Sequence, residues 1–484
     1  MKFLLTKDKF DKIYKKIYLS LSVPKKDDFF FKSIVKASII HLYIGNYNNR
    51  KKLDTYKSNF LSFIRNSFYY DLLYITIAIS YLLRSMIRSN KFLKSSVLFL
   101  VTHDYHYNKI LDFKKKLTKS KISTLTIKNS NTNLSKNTLS IKNCYDYYAF
   151  FQFICLLVKF RFFSLIYLMK RNKKNPYDLW FFKYLPLMIL KYSQCNYLNR
   201  KYEYKLLMSI DPTDPLIKLL EIINLNSNKK ESICFPLGFV TEGDPYWLYD
   251  HNIYYGIANF RGTNFLKNEK ITKKEIVTIG DLCLNKKISN VERKNKKSVV
   301  FFSSPSRKSL RDGGEFQVTK DNYLKILKSI INISIQNNLK LIIKLHPQDN
   351  NIDAINKLLK SQENLIYEVN ESIVLKQIFK QSLIAFGFKS NVFFESIINS
   401  LPYLVIDIEE KQDYFEVENI FYGVYSKSIM QMEKNFYFFK NNRHKFYKNW
   451  NKSVTKFLNK HFPSPLNQSS ERALKLSKKI LKLI

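Results

Sequence analysis

Glycine, proline and cysteine are all scarce in this chain of 484 residues. There are 10 glycines and 12 prolines, whereas Lys, Asn, Ile, Tyr and Phe are over-used, a pattern typical of an AT-rich bacterial genome. The cysteines are odd in number, widely spaced and without a CxxC pair: Cys144, Cys155, Cys195, Cys234 and Cys283. Such usage argues against a disulfide framework or a cysteine zinc site and fits a reduced cytoplasm. The first residues, 1–9, lack the long apolar core of a signal peptide.

Long uninterrupted apolar runs are also missing. The most apolar stretch, 72–83, is shorter than the roughly 20 residues that a membrane-spanning helix needs. A second stretch, 149–169, is interrupted by Lys159 and Arg161. Two interpretations of both stretches stay open: helices buried in a core, or aromatic helices with flanking Lys and Arg that lie on the inner face of a membrane.

Acidic residues are few compared with basic ones. The chain has 81 Lys and Arg against 39 Asp and Glu, a formal net charge of +42. This excess favours anionic partners such as nucleotides or an anionic membrane surface. The lysines are spread along the whole chain, and neither a zinc finger nor an RNP motif is present, so nucleic acid is not the expected partner.

What the chain does contain is enough apolar material for large cores. Hydrophobic residues make up 45% of the sequence and aromatic residues 15%, and the length suggests two or three domains. Apolar periodicity with almost no glycine predicts a helical region over 1–90. Short apolar runs then alternate with amphipathic stretches over 91–280, which predicts βαβ units and a parallel sheet. Within this part, the polar segment 128–143 reads as a loop.

A second α/β series follows a polar, lysine-rich linker at 281–297. Strands are predicted at 298–303, 339–345, 365–369, 383–387 and 403–408, with helices between them. We therefore expect two Rossmann-like, doubly wound domains facing a cleft, 91–280 and 298–435. A helical, basic tail over 436–484 is expected to pack back on the N-terminal domain.

Three loops of the second series carry the chemistry, since each follows a predicted strand. Hydroxyl groups and cations that suit a phosphate follow the first strand: Ser303, Ser304, Arg307 and Lys308. Lys344, His346 and Pro347 follow the second, where an imidazole can contact a phosphate or transfer a proton. Gly387, Ser390 and Asn391 form a tight turn and a helix N-terminus, and Glu395 lies one helical turn on, suited to a ribose diol.

At these positions the chain resembles the C-terminal domain of GT-B transferases that build bacterial capsules and surface polysaccharides. The matching strings are 344–347 (KLHP), 387–396 (GFKSNVFFES) and 401–407 (LPYLVID). HP-motif sialyltransferases and Kdo transferases share this layout, as do CDP-glycerol glycerophosphotransferases. The resemblance covers about 200–410. It implies that His346 contacts the nucleotide phosphate and that Ser390, Asn391 and Glu395 hold phosphate and ribose.

The resemblance leaves the catalytic base open. Relatives often have His-Gly after the strand near 232–240, where this chain has Pro236-Leu-Gly-Phe239. A carboxylate is still needed to deprotonate an acceptor hydroxyl. The candidates are Asp104, which follows His103, and Glu242, whose Glu-Gly pair resembles the acidic-Gly motif of polysialyltransferases.

The resemblance implies a metal-independent, membrane-associated glycosyltransferase without a cofactor. It would move a sugar from a nucleotide donor, such as a CMP- or CDP-linked sugar, to a surface glycan at the cytoplasmic face of the plasma membrane. Two alternatives are a CDP-glycerol-type glycerophosphotransferase and a catalytically degenerate GT-B protein that binds glycan or a partner. A hydrolysing sugar epimerase shares the fold, but it would call for more acidic residues in the N-terminal loops.

Overall fold

The protein is described from a computed structural model. The residues that it describes are 60–87, 93–101, 104–128, 138–170, 184–211, 214–225, 230–236, 240, 252–282, 296–307, 318–346, 349–370, 375–410, 413 and 415–483. The chain divides into two compact units. One is Met1–Cys283 together with Gln468–Ile484, and the other is Leu284–Asn467.

The first unit is built on a seven-stranded parallel sheet. Its strands are β2 (Val97–Val101), β3 (Thr124–Lys128), β4 (Thr138–Ser140), β6 (Leu206–Ser209), β7 (Glu231–Cys234), β8 (Tyr254–Ile257) and β9 (Ile276–Thr278). They are ordered β4-β3-β2-β6-β7-β8-β9, and every adjacent pair is parallel. The two strands β1 (Leu93–Lys94) and β5 (Tyr202–Glu203) pair separately. All five residues of β2 are buried, as expected for a strand covered on both faces.

Helices cover both faces of this sheet. They are α1 (Phe60–Ile87), α2 (Asp104–Lys119), α3 (Tyr147–Lys170), α4 (Leu185–Lys201), α5 (Pro215–Leu225) and α6 (Phe260–Asn268). One apolar core forms between the sheet and α1, α3, α4 and α5. Another forms between the sheet, α2 and the last helix of the chain, α14 (Ser469–Leu483).

The second unit contains a six-stranded parallel sheet. Its strands are β10 (Ser298–Phe302), β13 (Lys340–Lys344), β14 (Tyr367–Asn370), β15 (Ser382–Gly387), β16 (Tyr403–Ile406) and β17 (Tyr425–Ser426). The order is β14-β13-β10-β15-β16-β17, the 3-2-1-4-5-6 order of a doubly wound domain. A two-stranded ribbon of β11 (Ser306–Arg307) and β12 (Val318–Thr319) lies outside this sheet.

The helices of the second unit alternate with its strands. They are α7 (Lys320–Gln336), α8 (Ile352–Lys360), α9 (Leu375–Gln381), α10 (Asn391–Ile398), α11 (Val417–Ile420), α12 (Ile429–Asn441) and α13 (Arg443–His461). The predicted alternation of strands and helices over 298–408 is therefore confirmed, with bounds that shift by up to three residues.

Two segments differ from their predictions. The segment 128–143 was expected to be a loop, yet β4 pairs in parallel with β3, with Thr138 opposite Thr126. The sequence pattern did not indicate this strand, because its buried residues Thr138 and Ser140 are polar. The tail 436–484 is divided between the units, since α12 and α13 belong to the second and only α14 to the first. The expectation that the whole segment packs back on the first domain holds for α14 alone, whose apolar side chains join the core between the first sheet and α2.

The two apolar stretches both form long helices, α1 and α3. Within α1, Ile64–Ile87 has the length and the mean hydropathy, 1.3, of a membrane-crossing helix, and only 6% of its most apolar window is buried. Length and composition alone are weak evidence for crossing. Each helix has one buried and one exposed apolar face, so core burial accounts for one face and leaves the membrane-surface interpretation open for the other.

The contribution of α14 to the first unit can be measured by truncating one side chain. Ile480 is fully buried against the sheet, so we expect Ile480→Ala to lower the free energy of unfolding by about 2–5 kcal/mol. The neighbouring Lys479 forms an exposed ion pair with Glu275, and Lys479→Ala should cost no more than about 1 kcal/mol. Urea unfolding of both variants tests this, and equal losses would contradict the assignment of α14 to the core.

Candidate functional site

The candidate site of the second unit lies at the carboxyl ends of its central strands. The strand order reverses between β10 and β15, and ligands of doubly wound domains bind at such a switch point. The strand ends are level across the sheet, because Phe302 pairs with Lys344 on one side and with Gly387 on the other. The three loops identified in the sequence therefore leave the sheet side by side.

A hydrogen bond connects the first two of these loops. The backbone N–H of His346 donates to Ser303 Oγ at 2.9 Å, and the backbone N–H of Ser303 donates to the carbonyl of Lys344 at 3.1 Å. Ser303 is buried, so its hydroxyl serves as a fixed support for the backbone at His346. The predicted role of Ser303 as a ligand hydroxyl is thus accompanied by a positioning role that the sequence did not indicate.

The imidazole of His346 remains accessible at the end of β13. Partial burial lowers its pKa below the ordinary value, nearby Asp349 raises it, and nearby Lys344 lowers it again. The net direction of the pKa shift is downward, which favours the neutral form of the side chain. A neutral imidazole next to a lysine can donate one N–H to a phosphate oxygen and gains a proton when an anion arrives.

A second set of contacts, between β11 and the segment before α8, was missed at the sequence level. Asn350 accepts from the backbone N–H of Ser306 at 2.9 Å and donates to the Ser306 carbonyl at 3.0 Å. The Ser306 hydroxyl donates to Asn351 Oδ1 at 2.6 Å. The side chains of Asp349 and Asn351 are also joined, at 2.9 Å. These bonds hold the loop after β10 against the loop after β13.

The third loop is shaped by a close approach at Gly387. A Cβ atom on this residue would collide with the hydroxyl of Tyr403, which donates to the carbonyl of Phe388 at 3.0 Å. Ser390 then serves as the N-cap of α10, with extended backbone and no side-chain capping bond to the helix. The N-terminus of α10 therefore keeps amide groups at the switch point, where an anion is favoured.

The loop also carries a charge cluster that the sequence did not single out. Lys389 Nζ lies 2.8 Å from Asp407 Oδ2 and donates to the Tyr425 hydroxyl at 2.8 Å, and that hydroxyl donates to the same carboxylate oxygen. Asp407 is 5% exposed, and burial and the Asp407 carboxylate both raise the pKa of Tyr425. The cluster joins the ends of β16 and β17 to the third loop, the one that follows β15. Its signal in the sequence was the 401–407 string, whose last residue is Asp407.

The remaining predicted residues fall into three groups. Glu395 is half-buried on α10, one turn after Asn391, and Ser304 and Lys344 are half-buried at the strand ends. Arg307 is on β11, in the ribbon outside the sheet, and the backbone of Asn391, the first residue of α10, follows the end of β15. Lys308, Pro347 and Glu242 lie outside the described residues.

In the first unit, Asp104 is the first residue of α2, directly after β2. The order of that sheet reverses between β2 and β6, so Asp104 follows a strand at the switch point of its own domain.

Comparisons with known proteins bear on the fold. No protein-family model and no curated protein matches the chain. Among solved structures, UDP-GlcNAc 2-epimerase from Neisseria meningitidis, bound to UDP-GlcNAc, is similar at a TM-score of 0.50 and 12% identity, covering 80% of this chain and 100% of that one. A putative UDP-N-acetylglucosamine 2-epimerase from Listeria monocytogenes is similar at a TM-score of 0.53 and 10% identity, covering 81% and 98%.

The chain has the GT-B fold. Both doubly wound units contribute to the match, since it extends over four fifths of the chain. At 10–12% identity the likeness establishes the architecture and leaves the reaction to be argued from the site. The GT-B fold is the predicted one.

The Lys389–Asp407–Tyr425 cluster can be tested by removing its charge. Asp407→Asn leaves a half-buried lysine without its carboxylate, so we expect a loss of about 3–5 kcal/mol in the free energy of unfolding. Tyr425→Phe removes both hydrogen bonds of that hydroxyl, the one accepted from Lys389 and the one donated to Asp407, and should cost at least about 1.5–3 kcal/mol. Glu368→Gln, which breaks the more exposed pair with Lys340, should cost no more than about 1 kcal/mol. If the three variants lost equal free energy of unfolding in urea, the cluster would contribute no more to stability than an exposed ion pair.

Proposed function

We propose that this protein is a glycosyltransferase that takes its sugar from a nucleotide donor bound at the switch point of the second unit. The single observation that carries the proposal is the alignment of three functional loops at one sheet edge. Lys344, Phe302 and Gly387 pair in one row, and His346, Ser303 and the N-terminus of α10 follow directly. This edge offers backbone amides, hydroxyls and cations to a diphosphate.

Each group at this edge has a proposed role. His346 donates to a phosphate oxygen, while Lys344, Arg307 and Lys308 supply charge that stabilises the leaving nucleotide. Ser390, Asn391 and the amides of α10 hold the phosphate, and the Glu395 carboxylate accepts from the ribose hydroxyls. The Ser304 hydroxyl offers a further donor to the phosphate. Lysine and arginine charge at this edge supplies the neutralisation that a metal ion provides in other transferases, so the proposal includes no metal and no cofactor.

Transfer also needs a base for the acceptor hydroxyl. We assign this role to Asp104 or Glu242, both of which belong to the first unit. The support for Asp104 is its place after β2 at the switch point of that unit. The acceptor in this proposal is a bacterial surface glycan, and the enzyme works at the inner face of the plasma membrane, where its net charge of +42 favours anionic lipid.

The solved structures support a second candidate, a hydrolysing sugar epimerase. The two matches with TM-scores of 0.50 and 0.53 are a UDP-GlcNAc 2-epimerase and a putative one, and one of them holds UDP-GlcNAc. They make uridine nucleotides the first donors to test, beside the cytidine nucleotides that the sequence resemblance favours. The glycerophosphotransferase and the degenerate GT-B protein remain alternatives within the same experiment.

Nucleotide binding is the first measurement. We expect UDP, CDP, CMP or GDP, whichever is the donor nucleotide, to raise the melting temperature of the full chain. His346→Ala should weaken binding of that nucleotide by about tenfold or more, the value of one charge-assisted hydrogen bond. His444→Ala is the matched control, because His444 is an exposed histidine of the same unit, on α13. Equal binding by both variants, or no stabilisation by any of the four nucleotides, would remove the proposed donor site.

Binding should also depend on pH in one direction. The pKa of His346 is lowered in the free protein, and a bound diphosphate raises it, so binding takes up a proton. Affinity for a nucleotide sugar should increase as pH falls from 8 to 6, by no more than about tenfold per pH unit. UDP-GlcNAc is the suitable probe, because its phosphates carry no group that titrates near pH 6. In calorimetric titrations His346→Ala should lose this dependence; an unchanged slope would assign the proton to another group.

Product analysis distinguishes the candidate reactions. A transferase releases its leaving nucleotide, a nucleoside diphosphate or, from a CMP-sugar, CMP, only when an acceptor glycan is present, whereas a hydrolysing epimerase releases a nucleoside diphosphate without one. Release of a nucleotide monophosphate from CDP-glycerol would indicate phosphotransfer. Asp104→Asn and Glu242→Gln should then separate the two base candidates, since only the base variant loses turnover while keeping nucleotide affinity.

A further inference from the structure

Two neighbouring helices of the first unit, α1 and α3, form an antiparallel pair. The side chains of Arg161 and Asp71 form a bidentate ion pair, with Arg161 Nε 2.6 Å from Asp71 Oδ2. Fifteen residues further along α1, the Tyr147 hydroxyl lies 3.2 Å from Met86 Sδ. The C-terminal end of α1 is therefore next to the N-terminal end of α3, and the two helices extend side by side.

One side of this pair belongs to the core of the first unit. Tyr74, Ala78 and Leu82 of α1 are buried there, at i, i+4 and i+8. From α3, Phe153 and Leu157 are buried in the same core. Both helices are thus fixed to the unit along one stripe, which leaves their opposite sides outward.

The outward side is apolar as well. The side chains of α1 that are at least half exposed are Leu61 (76%), Phe68 (70%), Tyr69 (61%), Leu72 (55%), Leu83 (54%), Met86 (54%) and Ile87 (84%). Those of α3 are Tyr147 (63%), Tyr148 (58%), Phe151 (68%), Val158 (65%) and Phe162 (63%). We call these residues the outer face.

Their concentration is what needs an explanation. Among the described residues, 15 of the 22 large hydrophobic side chains with high exposure are on these two helices. Isolated exposed apolar residues are normal on a protein surface, whereas a contiguous patch marks a contact with another apolar phase or partner. The outer face extends along a 28-residue helix, which at 1.5 Å per residue is about 42 Å long.

The charges around the outer face select the partner. The sequences of α1 and α3 contain Arg65, Arg84, Lys159, Arg161 and Lys170, and their one acidic residue is the Asp71 already paired with Arg161. A second copy of this chain would bring the same positive charge to the contact, on a molecule of net charge +42. An anionic phosphate surface complements that charge instead.

We propose that the outer face is the membrane-binding surface of this protein, with α1 and α3 lying in the interface of an anionic bilayer. The apolar side chains enter the acyl boundary, while the arginines contact lipid phosphates. A crossing orientation is disfavoured, because Tyr74, Ala78 and Leu82 hold α1 to the core along its length. This inference deepens the membrane location given under the proposed function and rests on it, but it makes no use of the donor site.

Vesicle binding by the full chain tests the proposal. We expect the wild type to sediment with mixed phosphatidylcholine–phosphatidylglycerol vesicles and to bind phosphatidylcholine alone much less. Phe68→Gln combined with Phe151→Gln should reduce partitioning by about tenfold or more, through lost apolar insertion. The double variant Arg65→Glu with Arg84→Glu should weaken binding to the anionic vesicles. Its binding to phosphatidylcholine vesicles should not change.

Matched controls keep the result specific. Tyr422→Gln with Met430→Gln alters apolar residues of the second unit that are 72% and 77% exposed, and partitioning should not change. Melting temperature and nucleotide affinity of each variant show whether the fold and the donor site are intact.

Equal partitioning of the outer-face and control variants would overturn the proposal, as would a wild type that does not bind anionic vesicles. A dimer that dissociates only in the outer-face variant would assign the face to a second copy. Lost nucleotide binding with vesicle binding retained would count against the donor site alone.

Discussion

The register of three parallel strands is the constraint on which the second unit depends. In β13, β10 and β15, the pairing of Lys344 with Phe302 and of Phe302 with Gly387 brings all three loops to one level. Side chains alternate along a strand, so a slip of one residue would turn each loop toward the opposite face and separate the groups. The bond from His346 to Ser303 fixes that register just beyond the sheet, where the ladder ends.

Much of this architecture could be predicted from the sequence, because buried parallel strands appear as continuous apolar runs. Residues 299–302 and 341–343 are buried and wholly apolar, and the helix between them, α7, has the spacing of one apolar face. The contacts that refine the site could not be predicted in this way. Ser306 and Asn350 are 44 residues apart, and Tyr425 follows Asp407 by 18, so only the folded topology brings these polar side chains together. The strand β4 was missed for a related reason, since its buried residues are polar.

The two long apolar helices, α1 and α3, show that one sequence pattern can fit two different structures. The residues of α1 are apolar on nearly every side, which is equally compatible with a core helix and with a lipid-facing one. Which stripe becomes buried depends on the partners, α3 and α4, and on the ion pair of Asp71 with Arg161 that sets how α1 and α3 are aligned. The high lysine content did not help to predict which face of each helix is buried, because the lysines are spread along the whole chain and reflect composition as well as function.

The last helix has a consequence for how the protein is made. Ala473, Leu474, Leu476 and Ile480 of α14 complete the core between the first sheet and α2, and Arg472 donates to the carbonyl of Ile279 at 2.7 Å. During synthesis, residues 284–467 leave the ribosome before any of these side chains. The second unit has all of its strands available first, whereas the first unit keeps one face of its sheet only partly covered, by α2, until α14 emerges. Of the two units, the one that precedes the other along the chain is therefore the one whose core is completed last.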